Sequence, residues 1–150
     1  MTQLEDLEIP RTFTDLSFDN SSMRELHVFS DASKEAISAV AYLRIVDPEG
    51  NSQIGFVQGK SKLAPSHGHT IPRLELCAAV IATELAAFVQ KHLNITAEHT
   101  YYYTDSQVVL GYINNKSRRF YVYVANRVDK ILKLSSRVQW NFVPTEKKSS

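Results

Sequence analysis

Three acidic residues stand where acids are costly. Asp31 and Asp105 each follow directly on an apolar run of strand-like composition, and Glu75 opens a long apolar stretch of helical period. Acids at the ends of packed elements lose part of the shielding of bulk water and repel one another, and a divalent cation relieves both costs. Magnesium takes hard oxygen ligands and keeps several waters, so three carboxylates leave positions open for phosphate oxygens. Two-metal phosphodiester hydrolysis needs such an arrangement: one ion sharpens a water into a nucleophile and the other stabilises the leaving oxygen. Taken singly, each acid has a plainer use, since an Asp before Ser caps helices and a Glu in a first helical turn serves the dipole. Their joint placement at three element ends points to Asp31, Glu75 and Asp105 as a catalytic, metal-binding set for two Mg²⁺ ions, with Mn²⁺ able to substitute.

The elements that must bring these ends together can be read from periodicity. Residues 25–30 (ELHVFS), 39–46 (AVAYLRIV) and 53–62 read as three strands in an antiparallel meander, with the turn signal Asp47-Pro48-Glu49-Gly50 between the second and third. From Pro72, which suits a first helical turn, Leu74, Cys77, Ala78, Ile81, Leu85 and Phe88 recur at helical spacing through Leu93. Residues 100–104 (TYYYT) follow as a strand whose alternation sets Tyr102 against its neighbours, and Ser106 is placed to cap a short helix through Ile113. Residues 119–134 put Phe120, Val124, Val128, Ile131 and Leu134 on one helical face, and residues 138–143 (VQWNFV) close as a strand. The order β-β-β-α-β-α-α-β predicts an α/β domain over residues 25–146. It follows an N-terminal arm or linker at 1–24 and precedes a polar tail at 147–150. A crossover around residues 74–104 requires a mixed sheet, because strands joined through a helix are normally parallel.

Composition sets looser bounds. The chain has 150 residues, 43% hydrophobic and 22% charged, with a formal net charge of +1, so a nucleic-acid partner must be held by local basic patches and bound cations. The single cysteine, Cys77, lies in an apolar run and suits a small core side chain in a reducing compartment. Acids occupy the N-terminus where a signal peptide needs positive charge, and no run approaches the roughly 18 apolar residues of a membrane span. The expectation is an intracellular, cytoplasmic or nuclear protein without membrane contact, monomeric as an isolated domain. Glycosylation-type triplets at Asn20, Asn94 and Asn115 are then chance.

The stretches LHVFSDAS (26–33), RLELCAAV (73–80) and YTDSQVVL (103–110) resemble the three successive motifs of ribonuclease H, in that family's order. GKSKLAP (59–65), TIPRLEL (70–76), RRFYVYVANRV (118–128) and VQWNFVPT (138–145) are similar to the ribonuclease H segment of BEL/Pao retrotransposon polyproteins. The resemblance implies a ribonuclease H-like fold, a five-stranded mixed sheet of three antiparallel strands then parallel strands, flanked by helices. It also implies hydrolysis of the RNA strand of RNA–DNA hybrids during reverse transcription, beside reverse transcriptase and integrase regions of one polyprotein. Asp31 would bridge both ions, with Glu75 and Asp105 completing the second, and Ser33, Thr70 and Gln107 would contact the hybrid. The family has a fourth Asp in a helix after the last strand. Here Glu146-Lys147-Lys148-Ser149-Ser150 offers no match, so the chain reads as truncated before that acid. Glu146 sits too early to replace it.

Lys60, Lys62, Lys116, Arg118 and Arg119 cluster in two stretches flanking the acids and are expected on phosphates; of these, Lys60, Lys62, Arg118 and Arg119 are taken as substrate-binding residues. Arg73 would either orient the acids or pair with one. His67 and His69 lack further ligands at zinc spacing and read as loop. The leading function is a hybrid-specific endonuclease. The alternative is a catalytically weak or inactive domain kept for nucleic-acid or protein binding. A transposase or integrase core is disfavoured, because such cores order their acids Asp, Asp, Glu, and this chain runs Asp, Glu, Asp.

Overall fold

The computed structural model describes residues 23–64, 70–115 and 122–144. The strands are β1 (Met23–Ala32), β2 (Ala36–Val46), β3 (Ser52–Leu63), β4 (Thr100–Thr104) and β5 (Trp140–Phe142), and the helices are α1 (Ile71–Leu93), α2 (Gln107–Asn114) and α3 (Val122–Leu134). One sheet holds all five strands in the order β3-β2-β1-β4-β5. β1, β2 and β3 form the antiparallel meander, whereas β4 pairs in parallel with both β1 and β5. The mixed sheet expected from the crossover is thus present.

Alternation in β1 buries Leu26, Val28 and Ser30 on one face, and α1 packs there with Leu76, Ala79, Ala82, Leu85, Ala86 and Val89. Four alanines among the buried positions of α1 let its backbone lie close to the sheet. α2 and α3 pack beside α1 in the same layer. The opposite face carries an aromatic group in which Phe29 stacks on Tyr103 with centroids 4.5 Å apart and Tyr42 meets Phe29 edge-on at 5.8 Å.

The turn read at Asp47–Gly50 is closed by the Gly50 amide to the Asp47 carbonyl at 3.0 Å, with Asp47 Oδ1 accepting from Glu49 and Asn51; Gly50 has φ +94°, a conformation that favours glycine. Three boundaries depart from the sequence reading. β1 runs on through Asp31, which pairs with Ser38, so the acid lies within the strand rather than after it. Helix α1 begins at Ile71, capped by the Thr70 hydroxyl, so Glu75 falls at the start of the second turn. Residues 137–139 form a 3₁₀ turn in place of strand, leaving Val138 88% exposed, because Ser136 and Gln139 satisfy each other's backbone in a capping box. The expected start of the third helix at residues 119–121, the residues 1–22 and the loop histidines His67 and His69 lie outside the described residues.

Trp140 anchors the short edge strand. Its ring stacks on Tyr102, itself 1% exposed, at 4.8 Å, and its indole N–H donates to Ser135 Oγ at 3.0 Å. Ser135→Ala should cost about 1 kcal/mol through that lost acceptor, and Leu85→Ala about 2–5 kcal/mol by opening a cavity under α1. Urea midpoints followed by the fluorescence of this single tryptophan would measure both.

Candidate active site

The register of β1 against β4 sets the site. Val28 lies beside Tyr102 and Phe29 beside Tyr103, where the recorded pairing ends. Asp31 lies two residues further along β1, and Asp105 follows directly on β4, so both acids leave the pair of strands at the same end of the sheet. Ser30 Oγ reinforces the pairing at this end by donating to the Tyr103 carbonyl at 3.3 Å. The Val143 amide donates to the Thr104 carbonyl at 2.9 Å, tying β5 in beside it.

Helix α1 brings its start to the same end. Arg24, at the beginning of β1, donates to the carbonyls of Leu93 at 2.9 Å and Asn94 at 3.3 Å, which fixes the helix C-terminus at the opposite end of the strand. A 23-residue helix spans about 34 Å and a 10-residue strand about 33 Å, so the first turns of α1 lie over the end of β1. The Ala64 amide, bonded to the Glu35 carbonyl at 2.9 Å, holds the exit of β3 at that end too. Glu75 is half-buried there, whereas Asp31 is exposed and Asp105 half-buried. Among the described residues, no three His, Cys, Asp or Glu side chains stand close enough together, as they lie, to hold a metal ion.

The remaining expected contacts are distributed unevenly. Asp31 Oδ1 accepts from the Ala32 amide at 2.9 Å. Ser33 Oγ accepts from the amides of Glu35 and Ala36 and closes the β1–β2 turn. Thr70 caps α1 by accepting from Arg73 N at 3.4 Å. Gln107, the first residue of α2, is exposed next to Asp105. Ser106 caps α2, accepting from Val109 N at 3.1 Å, so Asp105 immediately precedes the positive end of this helix. Lys60 and Lys62 extend from β3, and with Ser38, Val40 and Phe56 they line a shallow apolar groove. Lys116, Arg118, Arg119 and Glu146 lie outside the described residues. The guanidinium of Arg73 lies 4.6 Å from the centroid of Tyr123. Cys77 is half-buried and shares a 3.0 Å hydrogen bond with the Tyr123 hydroxyl.

Sequence reading missed the polar network that locks β1 to β4 and β2 on the aromatic face. Glu25 Oε1 accepts from His27 Nε2 at 3.0 Å and from Arg44 at 3.1 Å, and His27 Nδ1 meets the Tyr103 hydroxyl at 2.7 Å. The His27 ring also stacks against Tyr101 and Tyr103. The only sequence signal is the alternation Glu25, His27, Phe29, which puts two polar groups on one strand face without naming their partners. Burial works to raise the Glu25 carboxyl, but the His27 and Arg44 hydrogen bonds and charges outweigh it and hold the group below the usual carboxylate range. Burial, with Glu25 and Tyr101 nearby, pushes the Tyr103 hydroxyl up.

A five-stranded mixed sheet with helices layered on it and acids at the ends of β1 and β4 and the start of α1 defines a ribonuclease H-like domain. A family model described as the Pao retrotransposon-like RNaseH-like domain matches residues 1–106, and the chain belongs to that family. Among solved structures, LC11-RNase H1 in complex with an RNA/DNA hybrid, an enzyme isolated from compost, is similar with a TM-score of 0.50 at 14% identity over 85% of this chain and 89% of that one. RNase H1 from the halophilic archaeon Halobacterium salinarum has a TM-score of 0.49 at 16% identity, over 83% and 87% of the two chains. The protease-reverse transcriptase of prototype foamy virus has a TM-score of 0.38 at 14% identity, over 87% of this chain and 18% of that one. At such identities the likeness is one of fold. No curated protein sequence matches. Among the described residues, no helix is long and apolar enough to cross a membrane.

The Glu25 network carries a pH signature. Because the folded carboxyl titrates below its unfolded value of about 4.3, its stabilisation is complete above that value and drains away as pH falls through the lower folded one. Glu25→Gln should therefore lower the thermal midpoint at pH 6–7 and converge with the parent protein near pH 3, as a melting series across that range would reveal.

Proposed function

We propose that the domain hydrolyses the RNA strand of RNA–DNA hybrids, within the reverse-transcription apparatus of a retroelement polyprotein. The observation that supports this reading is the parallel pairing of β1 with β4, which sends Asp31 and Asp105 to the same end of the sheet, where α1 begins, in a chain of this family. Three carboxylates are the hard-oxygen donors that Mg²⁺ or Mn²⁺ takes, and Asp31, Glu75 and Asp105 are the residues that would hold two such ions. When bound, the ions would activate water and neutralise charge on the leaving oxygen. Asp31 lies in β1, Asp105 follows β4 and Glu75 enters from α1, so a cation held by all three would join donors from two layers.

Recognition of the hybrid falls to the surrounding side chains. Gln107 stands exposed beside Asp105, in reach of a sugar hydroxyl, and such contacts, with the A-like shape of the duplex, let a protein tell RNA from DNA. Lys60 and Lys62 supply charge for the phosphate backbone, as Arg118 and Arg119 would from the other flank. Ser33 and Thr70 are committed to the turn and the helix cap, and their part in binding is to present backbone at fixed positions. LC11-RNase H1, which shares the fold, is a structure with RNA/DNA hybrid bound.

A hybrid with labelled RNA should be cut in Mg²⁺ or Mn²⁺ while duplex DNA of the same sequence stays whole. Asp31→Asn should slow cutting at least about a hundredfold, since even outer-shell changes at metal sites cost 10–100-fold. A hybrid left uncut in both metals, or cut equally well by Asp31→Asn, sinks this assignment. Tight hybrid binding without turnover would instead identify a domain that binds without catalysing.

A further inference from the structure

Beside the carboxylate end, on the helical layer, lies a basic arrangement that extends beyond Lys62, the one member of it already placed on the hybrid. Tyr123, near the start of α3, is bracketed by two guanidiniums, Arg73 of α1 at 4.6 Å and Arg127 of α3 at 3.9 Å from its ring centroid. The hydroxyl of the same ring is fixed by the 3.0 Å hydrogen bond with Cys77 of α1, so the ring cannot swing away from either cation. A groove of about 240 Å³ continues from there between α1, α3 and the end of β3. Its walls carry Lys62, Arg127 and Lys130, against Glu84 as the acid in the lining, over a floor that includes Ile37 and Cys77.

Holding two like charges against one aromatic ring costs repulsion that a packing role does not require, since one cation would satisfy the ring. Guanidinium stacked on a ring keeps its N–H edge free, and that edge matches phosphate oxygens. Lys62, Arg127 and Lys130 line the groove together, and Arg73 joins them through the Tyr123 ring that it shares with Arg127. A chain of phosphates carries negative charge at regular intervals and meets such a set of cations along its length, whereas a single small anion would engage only part of it. We infer that this groove binds the phosphodiester backbone of a nucleic-acid strand, as an extension of the hybrid site. Arg73, Arg127, Lys130 and Lys62 make the contacts, and Tyr123 positions the two arginines. The inference rests on the proposed hybrid specificity for its choice of polyanion.

The experiment is the salt dependence of binding, measured by fluorescence anisotropy of a labelled RNA–DNA hybrid across a KCl series in EDTA, where no cutting occurs. Each phosphate contact contributes close to one unit to the slope of log affinity against log salt, so the double variant Arg73→Gln, Arg127→Gln should flatten the slope by about two. Glu84→Lys, at an exposed position in the groove lining, should steepen it by about one. Parent slope in both variants, with their melting temperatures unchanged, overturns the inference while leaving the catalytic reading intact. Hybrid that binds but is never cut defeats the catalytic reading, and the slopes still judge the groove. Absence of hybrid binding by the parent protein defeats both.

Discussion

Parallel strands cannot be joined by a tight turn, so the pairing of β1 with β4 obliges the chain to leave the sheet, build α1 and return. That detour makes the site. It turns a meander into a mixed sheet and sets Asp31 and Asp105 at neighbouring strand ends. It also delivers Glu75 at the top of the connecting helix. The near-equal lengths of α1 and β1, with Arg24 pinning the helix C-terminus to the strand's beginning, place the first turns of the helix over the strand's end.

Both faces of the sheet work to hold that pairing in register. On the helical face, Leu26 and Val28 bury against α1, and Tyr102 is sandwiched into the core with Trp140. On the other face, Phe29 and Tyr103 stack, and Glu25, His27, Arg44 and Tyr103 form a hydrogen-bonded set spanning three strands. A slip of one residue between β1 and β4 would send both sets to the wrong faces and separate the two acids.

Much of this was legible in the sequence because the governing periodicities are local. Alternation in residues 25–30, the Ala- and Leu-rich helical repeat after Pro72 and the Ser106 cap are each decided within a few residues, and each appears where expected. The same is true of Tyr102 facing the core while Tyr101 and Tyr103 face away. What resisted reading depends on partners distant in the chain. Asp31 belongs to the strand because Ser38 pairs with it; Val138 is out of the strand because Ser136 and Gln139 satisfy one another first. Likewise the contact of Arg73 with Tyr123, fifty residues on, could not be read from its place two residues from Glu75. The acids themselves could be nominated from their positions at element ends, and the ribonuclease H resemblance supplied their roles, whereas the Glu25 and Tyr123 groups left no pattern to find.

The central claim is that the β1–β4 register makes Asp31 and Asp105 a shared cation site. Crystals grown with Mn²⁺ and measured at a wavelength where manganese scatters anomalously test it without recourse to activity. The account predicts an anomalous peak between the two carboxylates, within about 2.0–2.2 Å of their oxygens as for the smaller divalent cations, and its loss in Asp105→Asn. Manganese bound elsewhere on the chain, or a peak that survives in Asp105→Asn, would contradict it.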